Sequence, residues 1–212
     1  MRISVTELDQ WRLYCQYEHG WVDYAELRKR LSPDQKQEES EAMRYGTAFH
    51  AYLEDAVAGR EVKEFNRDGI DFKLDFDRQL YLPEVREVKT ELDLSVDGMP
   101  VTLVGKADAY DGWSVFDHKL VEQFDAEKYL DSLQWRAYLI MFDARRFTYN
   151  VFECDRDLAA FCRVRELHQL TMCRYPGMER DVLNYVQELA RFFRDYMPER
   201  LTYGDEKRMN LL

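Results

Sequence analysis

The run Val101-Thr-Leu-Val-Gly-Lys-Ala-Asp108-Ala-Tyr110-Asp-Gly-Trp113-Ser-Val-Phe-Asp117-His-Lys119-Leu-Val121 decides how this chain folds. It reads as two strands, 101–110 and 113–121, joined at Asp111-Gly112, a dipeptide that favours tight hairpins. Upstream, Leu92, Leu94 and Val96 alternate with Glu91, Asp93 and Ser95. That is the two-residue period of a strand with one buried face. Asp97-Gly98 supplies the turn back, and the three strands make an antiparallel meander.

The segments outside the meander have helical periods or strand runs. Leu8, Trp11 and Cys15 share a helical face within 4–30, with Gly20 as an interruption. The polar stretch 31–41, broken by Pro33, reads as a loop, and a helix over 41–57 ends near Gly59. Residues 60–84 have no clear period. A helix is expected over 125–144, with Leu130, Leu133, Ala137, Ile140 and Met141 on one side. Strands follow at 147–154 and 160–167. Pro176-Gly177 precedes a last helix at about 179–196. The order predicts an α/β fold: a central mixed sheet, the meander plus further strands, flanked by helices. We read 1–212 as a single domain.

The 212 residues are 46% hydrophobic and 14% aromatic, which excludes a disordered chain. The longest apolar stretches, such as 137–142, are far short of the ~20 residues of a membrane span. No apolar leader is visible, so a cytoplasmic setting is expected, with Cys15, Cys154, Cys162 and Cys173 as free thiols. The net charge of −11 argues against a purely electrostatic nucleic-acid binder.

Two carboxylates stand inside apolar strands. Asp108 and Asp117 are costly there unless paired or bound to a cation. Asp117 and Lys119 project from the same face of one strand. If Asp111-Gly112 is a two-residue turn, Tyr110 faces Trp113 and Asp108 faces Val115, which sets Asp108 diagonal to Asp117. An odd-length turn would break this parity. Two carboxylates at that spacing can hold a divalent cation, and an ammonium beside them can orient water and stabilise phosphoryl oxygens. Taken alone, Asp117-His-Lys119 is most simply an exposed ion pair. Gly46, His50 and Glu54 stack along one helix face, where Gly46 permits close approach of another backbone. Gln134 and Tyr138 are one turn apart on a later helix.

In this order the pieces resemble the PD-(D/E)xK nuclease superfamily, in its RecB-like and phage-exonuclease-like branch. The matching text is Gly46-Thr-Ala-Phe-His50, Gly105-Lys-Ala-Asp108, Asp117-His-Lys119 and Gln134-Trp-Arg-Ala-Tyr138. The opening Ser4…Leu8…Tyr14-Cys15 also looks like the branch's N-terminal helix. The resemblance implies a restriction-endonuclease-like core and a metal-dependent DNA nuclease, an exonuclease before an endonuclease. A non-catalytic module of the same fold is the rival reading. Asp108, Asp117, His50 and the backbone carbonyl of His118 would bind Mg²⁺ or Mn²⁺, and Lys119 would be the catalytic lysine. Gln134 and Tyr138 would support the site, with Glu91 and Glu54 as accessory acids. The downstream cysteines are too widely spaced for the branch's iron–sulfur cluster. By analogy, partners would include DNA, a single-strand annealing or other recombination protein, and further copies of the chain. Arg28-Lys29-Arg30, Arg145-Arg146, Arg163 and Arg165 are candidate phosphate contacts. The acidity then predicts a restricted basic track beside the metal site.

Overall fold

A computed structural model describes residues 1–16, 24–32, 40–57, 62–157 and 160–201. The predicted interruption at Gly20, most of the loop around Pro33 and the helix end near Gly59 lie outside them. Strand β1 (Arg2–Ser4) leads into helix α1 (Val5–Gln16) and then α2 (Tyr24–Leu31). Helix α3 (Glu41–Asp55) is capped by Ser40, whose hydroxyl accepts from the Met43 amide. The unassigned stretch contains a short hairpin, β2 (Glu64–Arg67) and β3 (Ile70–Leu74). The meander follows as β4 (Val85–Val96), β5 (Met99–Tyr110) and β6 (Ser114–Val121). Next come α4 (Ala126–Asp131), α5 (Leu133–Met141), β7 (Arg146–Asp157), β8 (Phe161–Cys173) and α6 (Met178–Tyr196).

The strands form one eight-stranded sheet in the order β1-β5-β6-β7-β8-β3-β2, with β4 on β5. The β1–β5, β6–β7 and β3–β8 pairs are parallel and the others antiparallel, so the sheet is mixed as expected. Side chains of β7 alternate between two cores. Phe147, Tyr149 and Val151 join α1, α2, α5 and α6 on one face. Phe152 and Cys154 join α3 on the other. Helices therefore cover both faces. No described helix is long and apolar enough to cross a membrane.

Two sequence expectations change in ways that matter to the site. The helix expected over 125–144 is broken at Ser132. The Ser132 hydroxyl accepts from the Gln134 amide at 3.0 Å, and Asp9 of α1 accepts from the Leu133 amide at 2.7 Å. Two caps at one point start a new helix there, and Leu130 is exposed rather than in the core. The β5–β6 turn is also longer than two residues. The Asp111 carboxylate accepts from the amides of both Trp113 and Ser114, at 2.9 and 2.7 Å. The loop becomes four residues, and Tyr110 faces Val115 instead of Trp113. Four, like two, is even, so the parity survives. Carried one step further, that register sets Asp108 against Asp117 rather than against Val115.

Candidate active site

Strands β5 and β6 pair only at Ala109↔Phe116 and Tyr110↔Val115 and then part. On its far end β5 pairs with β1 up to Val104. Residues 105–108 therefore lack a strand partner on that edge, and side chains supply the missing bonds. The Tyr138 hydroxyl accepts from the Lys106 amide at 3.2 Å and donates to the Lys106 carbonyl at 2.9 Å. Asp108 Oδ2 accepts from the His118 amide at 2.6 Å. The gap can open only because Gly105 has no side chain. A Cβ there would stand 2.4 Å from Tyr138 Cε1. Two motifs far apart in the chain, Gly105…Asp108 and Gln134…Tyr138, are thus one interlocked piece.

Asp117 is 2% exposed. Its Oδ1 accepts from Gln134 Nε2 at 2.8 Å. Its Oδ2 is ion-paired with Lys119 Nζ at 2.6 Å. Gln134 is held in turn by Tyr149, whose hydroxyl donates to Gln134 Oε1 at 3.2 Å and lies 3.3 Å from the Ser132 hydroxyl. That contact orients the amide so that its NH₂ end faces the carboxylate. His50 arrives from α3, with Nδ1 3.6 Å from Asp108 Oδ2, and its ring bonds the His118 backbone.

The electrostatics follow from crowding carboxylates into a mostly buried cleft. Burial, then the charge of Asp117, pushes the Asp108 carboxyl up to about 7. Burial opposes the Lys119 charge, but Asp117 and Asp108 outweigh it and raise the ammonium pKa. Burial and then Lys119 lower the His50 pKa, favouring the neutral imidazole that a ligand must be. Burial pushes the Tyr138 phenol up to about 12, so it stays a donor.

The structure brings together His50, Asp108, Asp117, Lys119, Gln134 and Tyr138. His118 takes part through its backbone only. Its side chain is buried beside Asn150, with Nδ1 3.2 Å from Nδ2, and burial lowers its pKa to about 3. Glu91 is placed elsewhere: it pairs with Arg2 and lies across from Val104. The β4 acid facing Asp108 is Glu87, bracketed by the pairs Arg86↔Ala109 and Val88↔Ala107 and ion-paired with Lys106. Sequence reading missed it, although the two-residue Asp97-Gly98 turn already implied that register. Glu54 sits on the rim, where its charge acts on Lys106. Tyr149 and Asp9 were also missed, because an ordinary core tyrosine and an ordinary helical aspartate carry no motif. Gly46 meets no described atom within 4 Å of a Cβ position, so no backbone of the described chain approaches it.

The donor set suits a hard divalent cation. It comprises two neighbouring carboxylates, a neutral imidazole and a main-chain carbonyl. Among the described residues, Asp117 Oδ2 meets the Lys119 ammonium alone, so a bound ion could share it. A second carboxylate–histidine group, Glu153, Glu166 and His168, has potential ligand atoms within 4.8 Å of one another. There Glu153 already meets His168 at 2.8 Å and Arg165 at 3.3 Å. Of the candidate phosphate contacts, Arg28, Arg30, Arg163 and Arg165 are ion-paired to acids, and Arg145 stacks on Trp113.

No family model and no curated protein matches the chain. Solved structures do resemble it. The crystal structure of SSO0001 superposes with a TM-score of 0.51 at 15% identity, covering 90% of this chain and 76% of that one. The alkaline exonuclease LHK-Exo from Laribacter hongkongensis gives 0.48 at 12% identity, covering 100% and 95%. A phage-related exonuclease from Haemophilus somnus 129PT gives 0.41 at 10% identity, covering 55% and 62%. At such identities the likeness is one of fold alone, a mixed α/β sheet flanked by helices.

Proposed function

We propose that the protein is a metal-dependent nuclease that hydrolyses phosphodiester bonds in DNA, acting from strand ends. One observation carries this reading. Asp108 and Asp117 each lie one residue beyond the last β5–β6 pair, close enough for the Asp117 charge to act on the Asp108 carboxyl, and Lys119 is ion-paired with Asp117. Asp108, Asp117, His50 and the His118 carbonyl would hold Mg²⁺ or Mn²⁺. Such an ion, when bound, lowers the pKa of water and takes up charge on the phosphoryl oxygens.

The chain's own residues do the rest. Asp108 and Asp117 are fixed before any ligand arrives, by the His118 amide and the Gln134 amide. Tyr149 fixes Gln134, and the Tyr138 hydroxyl bonds the Lys106 backbone that β6 leaves unpaired. Lys119, held as an ammonium by the two carboxylates, places positive charge where the phosphate develops negative charge. Charge on a preorganised donor costs no reorganisation during the reaction, which is why it must be set by the fold.

The test is digestion of linear and nicked-circular DNA in Mg²⁺, Mn²⁺ or EDTA. Cleavage of linear DNA in metal and none in EDTA is expected. Asp117→Ala and Lys119→Ala, shown to be folded, should each lose about 10²-fold or more in rate. Wild-type protein inert with every metal would refute the activity. Full activity in both variants would refute the site.

A further inference from the structure

Six glycines lie among the described residues, and five have a reason within the chain. Gly69, Gly98, Gly112 and Gly177 have positive φ, and Gly105 makes room for Tyr138. Gly46 has neither reason. It sits mid-helix in the 15-residue α3, where glycine is the poorest choice after proline. No described atom lies within 4 Å of where its Cβ would stand, so an alanine methyl would fit. The helix thus carries a destabilising residue that the described fold does not need.

What lies beside Gly46 explains it. His50 is one turn on, on the same helix face, with its ring at Asp108. Gly46 is therefore about 6 Å along the helix axis from the cleft. Bare helix backbone at the edge of a cleft is where a bound chain can approach more closely than any side chain would allow. The Gly46 amide belongs to the helix and is not free to bind phosphate, so the contact is van der Waals.

Resting on the proposed nuclease activity, we infer that Gly46 is a substrate contact: the sugar–phosphate backbone of the DNA strand next to the scissile bond passes against α3 there. A side chain at 46 would hold the strand away from Asp108 and Asp117. Leucine would do so more than alanine.

The experiment compares wild type, Gly46→Ala and Gly46→Leu by thermal unfolding, Mn²⁺ titration, oligonucleotide binding in Ca²⁺ and cleavage in Mg²⁺. Both variants should unfold about 2–4 °C higher, since alanine and leucine are strong helix formers. Mn²⁺ affinity should be unchanged. Oligonucleotide affinity should fall tenfold or more in Gly46→Leu and less in Gly46→Ala, with KM rising in parallel. A lower unfolding temperature would mean that another part of the chain needs the space, and would overturn the inference. So would unchanged DNA affinity and KM in Gly46→Leu, while leaving the nuclease reading intact. Wild-type protein that binds oligonucleotide without cutting it would remove the activity; loss of binding in Gly46→Leu would still support the contact.

Discussion

Gly105→Ala tests the interlock between the two motifs. The new methyl group would stand 2.4 Å from Tyr138 Cε1 and 3.3 Å from Val5 Cγ2. Tyr138 cannot swing clear. Its ring lies parallel to Phe147 at 6.0 Å, and its hydroxyl bridges the Lys106 amide and carbonyl. Overpacking of this kind costs ~1–3 kcal/mol, and each hydrogen bond lost by a displaced hydroxyl adds ~1. A loss of about 3 kcal/mol lowers the unfolding temperature of a chain this size by about 6–12 °C. Cleavage should fall further than the folded fraction does, by about tenfold, because Tyr138 shares α5 with Gln134 and any shift of α5 moves the amide off Asp117. The assay is thermal and urea unfolding, with cleavage measured below the transition. Tyr138→Leu removes the clashing ring edge, so Gly105→Ala should cost almost nothing when added to it. A Gly105→Ala variant within 0.5 kcal/mol of wild type, or costs that simply add in the double variant, would refute the reasoning.

In EDTA, stability should depend on pH through Asp108. Its folded value of about 7 lies above the ordinary 3.8, so the neutral carboxyl's advantage is fully present below about pH 4 and lost as pH rises through 7. The metal-free unfolding temperature should fall from about pH 5 to about pH 8, more steeply than in Asp108→Asn, and saturating Mn²⁺ should reverse the fall. Tyr149→Phe removes the hydroxyl that orients Gln134 and should cost about 1 kcal/mol of stability but several-fold in kcat, read from steady-state cleavage of one oligonucleotide. Asp9→Ala should lower stability by about 1 kcal/mol through the lost α5 cap, measured by urea unfolding. Glu87→Gln should weaken Mn²⁺ binding in calorimetry, whereas Glu91→Gln should leave it unchanged, since only Glu87 faces Asp108.

Much of the site could be read from the chain because its chemistry is local. Asp117 and Lys119 share a strand face by the period of two, and Gln134 and Tyr138 share a helix face by the period of 3.6. The meander came from alternation and from Asp97-Gly98, whose two residues have positive φ and join Val96 directly to Met99. The same dipeptide type at Asp68-Gly69 joins β2 to β3, but those strands are short and charged, and alternation did not show. Register was where reading went astray. The Asp111 carboxylate competed for backbone amides and lengthened one turn, and the acid facing Asp108 was sought at Glu91, four residues from Glu87.

By itself the sequence determined the period of the meander and of most helices, the order of the motifs and the residue types suited to a cation or a phosphate. Those follow from side-chain chemistry and neighbours a few positions away. Only the tertiary structure decided that β5 and β6 part after two pairs, that Tyr138 and Asp108 satisfy the backbone so exposed, and that Tyr149 and Asp9 hold α5 in place. These contacts join residues up to 124 positions apart. Their physical reason is that every buried polar group must find a partner, and which partner lies within reach is set by packing.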